Sequence, residues 1–400
     1  MRNDKAWALL EAYGQTKIVS SDAAADLLAG LLEQEGVKSL LFCCAGNSSL
    51  LPDGAFQKVL RAMWRWTPPE TAICGNIPPE PAVEDVRRIV AEMKKNEVTH
   101  VVAVGGGSVL DAAKAAYLSF QSGKDVTELF GVNQVSSSSP AENFKRVICV
   151  PTTSGTGSEV TPYSNIVDGE SGVKKLIVEK AVIPEWAFLD ASFTKSMPRA
   201  LTVTTGLDAL VHAVESFLNN TSPNAPAEAE EWALEGIKLI ARHLPIAAEY
   251  PENLESRGAL AEAATLGGMC ITHRPTSLPH LASFSLYGKV SHGQAVAALL
   301  PGFWRYYIGE ESVAKATMKL AGIFSPVPER DASGVIESFV SFVRSVGGAP
   351  SPGELGLERS LISKIASDAL LNPVKLRSCP RKIEMENASS VISGILEKAW

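Results

Sequence analysis

Histidine and cysteine are both scarce, with six of each in 400 residues. The cysteines, at positions 43, 44, 74, 149, 270 and 379, form no C-x-x-C pair and no regular framework. That pattern excludes a disulfide-stapled scaffold and reads as buried thiols in a reducing compartment. No apolar run reaches 18 residues, and the opening MRNDKAWALLEAYGQ lacks the apolar core of a signal peptide. A cytoplasmic protein without a membrane partner is the expectation. Basic charge is also short: 37 Lys and Arg against 44 Asp and Glu leave a net charge of −7. A nucleic-acid surface needs a basic stripe, so the expected partners are small molecules.

What the chain does contain is ordinary globular material, 46% hydrophobic and 20% charged, and long enough for two domains. The first half alternates short apolar runs, at 39–44, 70–75, 100–105 and 146–151, with helical stretches such as EDVRRIVAEMKKN at 84–96. Such alternation predicts an α/β domain, a mainly parallel, Rossmann-like sheet with helices on both faces. From about residue 200 the pattern becomes Ala- and Leu-rich with helical periodicity, as in PAEAEEWALEGIKLIARHLPIAAEY at 226–250. The expectation is therefore a dinucleotide-binding α/β domain over 1–198 and an all-α domain over 199–400, joined near Pro198. Ser136 to Ser139 read as a solvent loop.

Asp208 and His212 stand four residues apart in GLDALVHAVESF, which places them one turn apart on one helix face. His280 and His292 follow downstream and can close a site from another segment. One carboxylate and three imidazoles suit a divalent transition metal, with Fe(II) and Zn(II) leading. The same spacing also suits an exposed polar pair and two loop histidines. His100 and His243 read as surface or core residues.

Upstream, VTHVVAVGGGSVLDAAKAAYLSF runs from a strand through Gly105, Gly106 and Gly107 into a helix beginning near Ser108. Bare glycine lets backbone approach a pyrophosphate, and the first amides of a helix favour its charge, so residues 105–108 form a candidate phosphate cradle. Neither G-x-G-x-x-G nor G-x-x-x-x-G-K-[ST] is present here, and tight packing between strand and helix also selects glycine. A second run, VICVPTTSGTGSEVTPYSNIVD, carries hydroxyl and amide donors from Thr152 to Ser158 suited to sugar and phosphate oxygens.

Taken together, GGGSVLDAAK, PTTSGTGSEVT, KKLIVEKAVIPEWAFLD and TGLDALVHAVESF resemble, in order and spacing, the iron-containing (group III) alcohol dehydrogenases. The resemblance spans nearly the whole chain, from LLFCCAGNSS to HGQAVAALLPGFWRYY. It implies an enzyme, a metal-dependent alcohol dehydrogenase using NAD(H) or NADP(H), as a homodimer. The cofactor pyrophosphate would lie against Gly106, Gly107 and Ser108, with the ribose and nicotinamide near Thr152, Thr153 and Ser158. Asp111 and Lys175, within matching motifs, join that set. The cation on Asp208, His212, His280 and His292 would face the cofactor across a cleft and act as a Lewis acid during hydride transfer.

Three departures shape the expectation. Many family members carry a histidine four residues after the third ligand, whereas this chain has Phe284; protons would then leave through ribose hydroxyls or water. His273 is a rival to His280, which is favoured by standing twelve residues before His292. The family's NAD-favouring aspartate falls on Cys44, followed by Gly46 and Asn47, so NADP(H) is not excluded.

Arg274, beside Thr272, Thr276 and Ser277, suggests recognition of an oxyanion. The T-x-R-x-T-S-x-P-H stretch resembles the branch containing phosphonoacetaldehyde and sulfoacetaldehyde reductases, and implies a small anionic aldehyde. A surface arginine paired with a carboxylate is the plainer alternative. Neutral short-chain alcohols or diols are a second substrate reading. A nucleotide-binding sensor or scaffold with a vestigial metal site is a rival of another class.

Overall fold

The computed structural model describes residues 3–46, 53–65, 70–170 and 172–400, with the side chains of residues 373 and 374 outside that description. Two compact units emerge, Met1–Met197 and Pro198–Trp400.

The first unit contains strands β1 (Lys17–Ser20), β2 (Ser39–Cys44), β3 (Glu70–Cys74), β4 (His100–Gly105), β5 (Gly131–Val132), β6 (Ile148–Pro151), β7 (Tyr163–Asp168), β8 (Val173–Val178) and β9 (Trp186–Leu189). Its helices are α1 (Asp4–Glu11), α2 (Ala24–Gln34), α3 (Ala55–Met63), α4 (Val83–Lys95) and α5 (Gly107–Ser122). Six strands form a parallel sheet in the order β1-β9-β6-β4-β2-β3. Along β2 the side chains alternate: Leu41 and Cys43 enter a core shared with α4 and α5, while Leu40, Phe42 and Cys44 enter one shared with α2 and α3. A strand buried on both faces must be apolar throughout, which is why SLLFCC is a continuous run and not an alternating one. All six cysteines are free and buried.

From β2 the chain moves outward to β3 and returns on the other side of β2 as β4. The carboxyl ends of β2 and β4 are therefore a switch point, where open α/β sheets bind ligands. Residues 105–107 leave β4 there, and Thr152 follows β6, its N–H donating to the Gly105 carbonyl at 2.9 Å.

A smaller sheet, β5-β8-β7, was not legible in the sequence. It is tied to α5 by Asp111, whose carboxylate accepts from the Asn165 N–H at 2.9 Å, and by Ser164 Oγ, which donates to the Asp111 carbonyl at 2.7 Å. The Ser136 segment is likewise anchored: the N–H groups of Val135 and Ser136 donate to buried Glu179 at 2.9 and 3.1 Å.

The second unit is helical: α6 (Arg199–Leu218), α7 (Glu228–Glu249), α8 (Leu254–His273), α9 (Leu278–Ser283), α10 (His292–Tyr307), α11 (Glu311–Met318), α12 (Ala332–Ser345), α13 (Leu361–Ala369), α14 (Pro373–Arg377) and α15 (Ala388–Ala399). Helix α6 is buried nearly all round, packed by α7, α8 and α10. That accounts for its lack of a polar face. Among the described residues, no helix is long and apolar enough to cross a membrane.

Lys114, fully buried on α5, holds the two donor-rich segments together. Its ammonium donates to the Ser158 carbonyl and hydroxyl at 2.9 Å each and to the Thr161 carbonyl at 3.1 Å. Burial lowers its pKa, opposed first by the Asp111 charge. Lys114→Met strands these oxygens in the core and should cost about 2–4 kcal/mol in urea unfolding; a change below about 0.5 kcal/mol would show that the segment holds without it.

Candidate metal centre and cofactor segment

Asp208, His212 and Glu215 stand at i, i+4 and i+7 on α6, so all three project from one face. His280 comes from α9, and His292 is the first residue of α10. The Nε2 atoms of His212, His280 and His292 lie 3.9, 3.7 and 3.5 Å from Asp208 Oδ1. For Asp208, His212 and His280, all buried, one donor atom from each lies within 4.8 Å of the others. Among the described residues, Asp208 Oδ1 and His280 Nε2, 3.7 Å apart, are both buried without a hydrogen-bond partner. Buried polar atoms without partners are costly, and two of them facing each other beside further imidazoles mark a place for a cation. Tetrahedral coordination at roughly 2.0–2.2 Å would separate donors by about 3.3–3.6 Å, and the three imidazole nitrogens stand within a few tenths of an ångström of that spacing from Asp208 Oδ1.

The electrostatics suit the same purpose. Burial alone would raise the Asp208 carboxyl, but His212, His292 and His280 hold it well below the usual carboxylate range. Burial pushes His212 down to about 4, against the opposing pull of Asp208, so its ring is neutral and keeps a lone pair at neutral pH.

Glu215 is a residue that sequence reasoning missed. Its carboxylate pairs with His280 Nδ1 and accepts from the Ser277 N–H at 2.7 Å and the Ser277 hydroxyl at 3.1 Å. A hydrogen bond from Nδ1–H to Glu215 fixes the tautomer that points the Nε2 lone pair at Asp208. The signal was present in D-x-x-x-H-x-x-E, where the third position continues the same helical face.

Gly293 explains how His292 reaches Asp208. A Cβ there would lie 1.9 Å from the Thr204 carbonyl oxygen and 3.2 Å from Asp208 Cβ. Helix α10 thus crosses α6 with main chain almost against main chain, at the residue next to the ligand.

The first unit gathers the other predicted residues. A Cβ on Gly106 would meet Thr153 at 3.1 Å, and one on Gly107 would meet Thr156 at 2.6 Å, so these glycines let the two donor-rich segments touch. The Ser108 hydroxyl accepts from the Glu80 N–H at 3.0 Å. Ser158 Oγ donates to Asp111 at 2.5 Å while accepting from Lys114, which turns Ser158 and Asp111 toward the protein's own framework. Lys175 pairs with Asp168 at 2.7 Å and lies 5.3 Å from the Phe130 ring centre. Thr152 and Thr153 stay partly open. Gly46 packs beside Asn76, and Asn47 lies outside the described residues.

In the second unit, Thr272 spends its hydroxyl on the Gly268 carbonyl of its own helix at 2.9 Å. Arg274 ends α8, its carbonyl accepting from Ser216 Oγ at 2.7 Å and its Nε buried without a partner. His273, the rival ligand, packs against Trp232 with ring centres 5.7 Å apart.

Family comparisons divide the chain where the structure does. The domain described as iron-containing alcohol dehydrogenase matches residues 15–191, and the C-terminal domain of the Fe-containing alcohol dehydrogenase family matches residues 202–399. The chain belongs to the iron-containing alcohol dehydrogenase family. This dehydrogenase is 31% identical to the probable alcohol dehydrogenase EutG of Escherichia coli (strain K12), over 77% of this chain and 75% of that one. It is 32% identical to the 1-propanol dehydrogenase PduQ of Salmonella typhimurium (strain LT2), over 66% of this chain and 67% of that one. The solved structure of a 1,3-propanediol oxidoreductase superposes with a TM-score of 0.84 at 27% identity, covering 96% of this chain and 97% of that one. A sulfoacetaldehyde reductase from Bifidobacterium kashiwanohense, solved in complex with NAD+, shares the fold with a TM-score of 0.81 at 24% identity, over 96% and 98% of the two chains.

Two substitutions probe the centre. Gly293→Ala forces main chain apart and should lower stability by about 3 kcal/mol or more, with reduced metal content; an unchanged melting temperature would show that α10 can slide. Glu215→Gln should weaken metal affinity about 10–100-fold in a competition with a chelating dye, and wild-type affinity would remove Glu215 from the centre.

Proposed function

We propose that the dehydrogenase holds one divalent cation, Fe(II) or Zn(II), on Asp208, His212, His280 and His292, and uses NAD(H) or NADP(H) to interconvert an alcohol with a small, anionic aldehyde such as sulfoacetaldehyde or phosphonoacetaldehyde. The observation that carries the reading is the convergence of three imidazole nitrogens on an otherwise unpartnered Asp208 oxygen inside the helical unit. Such a cation supplies Lewis acidity toward the oxygen of the alcohol or aldehyde. The chain's own residues do the rest. Asp208 contributes the negative charge that retains the ion, Glu215 orients His280, and burial keeps His212 unprotonated. Gly106, Gly107 and Ser108, at the switch point of the sheet, are assigned to the cofactor pyrophosphate, and Thr152 and Thr153 to its ribose and nicotinamide side. Phe284 stands one turn after His280 and cannot relay a proton, which leaves that task to water or the cofactor hydroxyls.

The anionic-substrate reading is supported by the buried, unpaired Arg274 Nε and by the shared fold with a sulfoacetaldehyde reductase. Neutral alcohols or diols are the second reading, favoured by the names of the propanol and propanediol enzymes that this chain resembles.

Chelation should abolish nicotinamide-linked turnover and Fe(II) or Zn(II) should restore it; Asp208→Ala or His280→Ala should abolish it irreversibly with the fold retained by circular dichroism. Nucleotide binding without oxidation of any aldehyde's reduced nicotinamide partner would instead identify a sensor, and near-wild-type activity in either variant would strike that residue from the ligand set.

A further inference from the structure

Lys114 is fully buried and Lys375 is half-buried, and the surroundings of their ammonium groups differ. Lys114 is satisfied by the hydroxyls and carbonyls of Ser158 and Thr161. Among the described residues, the Lys375 ammonium, on the short helix α14, has the Thr276 hydroxyl as its one hydrogen-bond partner, and lies 6.0 Å from the Phe284 ring centre. An ammonium offers three donor hydrogens. Among the described residues no carboxylate lies within ion-pair distance of it.

Its position is fixed from several directions. The Asn372 side chain accepts from the Lys375 N–H at 3.1 Å, and Ser378 Oγ donates to the Thr276 carbonyl at 3.0 Å, which pins α14 to the segment leading into α9. Thr276 precedes Ser277, the residue that binds Glu215, and Phe284 lies one turn beyond His280. Lys375 is also among the charges acting on His212 and Glu215, whereas Arg274 acts on Cys270. Burial pushes the Lys375 pKa down to about 8, opposed by Glu215, so most of it stays charged at neutral pH. A half-buried ammonium with spare donors and, among the described residues, no carboxylate at ion-pair distance is a ready receptor for an anion.

We propose that Lys375, with the Thr276 hydroxyl, is the specificity determinant that receives the sulfonate, phosphonate or carboxylate of a short aldehyde whose carbonyl is presented to the Asp208, His212, His280 and His292 centre. The proposal rests on the dehydrogenase reading above and names the residue that reads the substrate's charge. Phe284 supplies an apolar wall that limits hydration of the ion pair, which strengthens it. Lys375 carries no part of the hydride transfer.

The test compares wild type, Lys375→Met, Lys375→Arg and Thr276→Val on sulfoacetaldehyde, phosphonoacetaldehyde, succinic semialdehyde and propionaldehyde. Calorimetry with ethanesulfonate, which lacks the reacting oxygen, is run in parallel on metal-free protein. Lys375→Met should raise KM for charged aldehydes at least about tenfold more than for propionaldehyde, the factor expected for loss of one charge-assisted hydrogen bond. Ethanesulfonate binding should weaken by a similar factor, and Lys375→Arg should recover most of both. Equal losses on charged and uncharged aldehydes, or a wild type that does not favour charged ones, would overturn the assignment while leaving the dehydrogenase intact. Absence of turnover on every aldehyde would instead defeat the broader reading, and ethanesulfonate binding that is indifferent to Lys375 would defeat this one.

Discussion

Asp208 carries an ionised oxygen into the interior of a helical unit, surrounded by three imidazoles and given no hydrogen bond of its own. A lone charge in such a place is too costly to persist without compensating positive charge. Much of the surrounding architecture follows from that constraint. Helix α6 is buried on nearly every side so that water cannot satisfy the carboxylate, and Glu215, two turns on, holds His280 in the tautomer that faces it. Helix α10 comes close enough to deliver His292 only because residue 293 has no side chain. The candidate ligand set is thus a property of helix positions and one crossing, not of four residues taken separately.

The first unit follows a different logic. Its glycines 106 and 107 leave room for Thr153 and Thr156, and Lys114 ties the second segment down from beneath. Several polar groups that look like ligand donors in the sequence, Ser158 and Asp111 above all, are engaged by the protein's own framework. Their contribution is to hold Thr152 and Thr153 at the carboxyl edge of β4 and β6. Composition alone does not separate donors that face a ligand from donors that hold the loop, since both use the same residue types.

The 1-propanol dehydrogenase PduQ and the 1,3-propanediol oxidoreductase are named for uncharged alcohols, whereas this chain sets Lys375 beside Thr276 and Phe284, close in sequence to Ser277 and His280. A half-buried ammonium beside a hydroxyl and an aromatic face is a poor neighbour for an alkyl chain and a good one for an oxyanion.

Periodicity and composition by themselves determined the class of each half. Continuous apolar runs specify strands covered on both faces, Ala- and Leu-rich periodic stretches specify helices, and D-x-x-x-H on a helix specifies two donors on one face. The ordered motifs specified the family. The small β5-β8-β7 sheet was hidden because β5 is two residues long and the central strand β8, VKKLIV, opens on two adjacent lysines and is largely exposed or half-buried. Only the tertiary structure decided that Glu215 supports His280, that Gly293 permits the helix crossing, and that Lys375 stands by the centre while Thr272 is turned into its own helix. The contacts of Glu215, Gly293 and Lys375 join segments separated by tens to about a hundred residues, where no local spacing rule reaches, because side-chain pairing at that range is set by how helices pack and not by the order in which they are written.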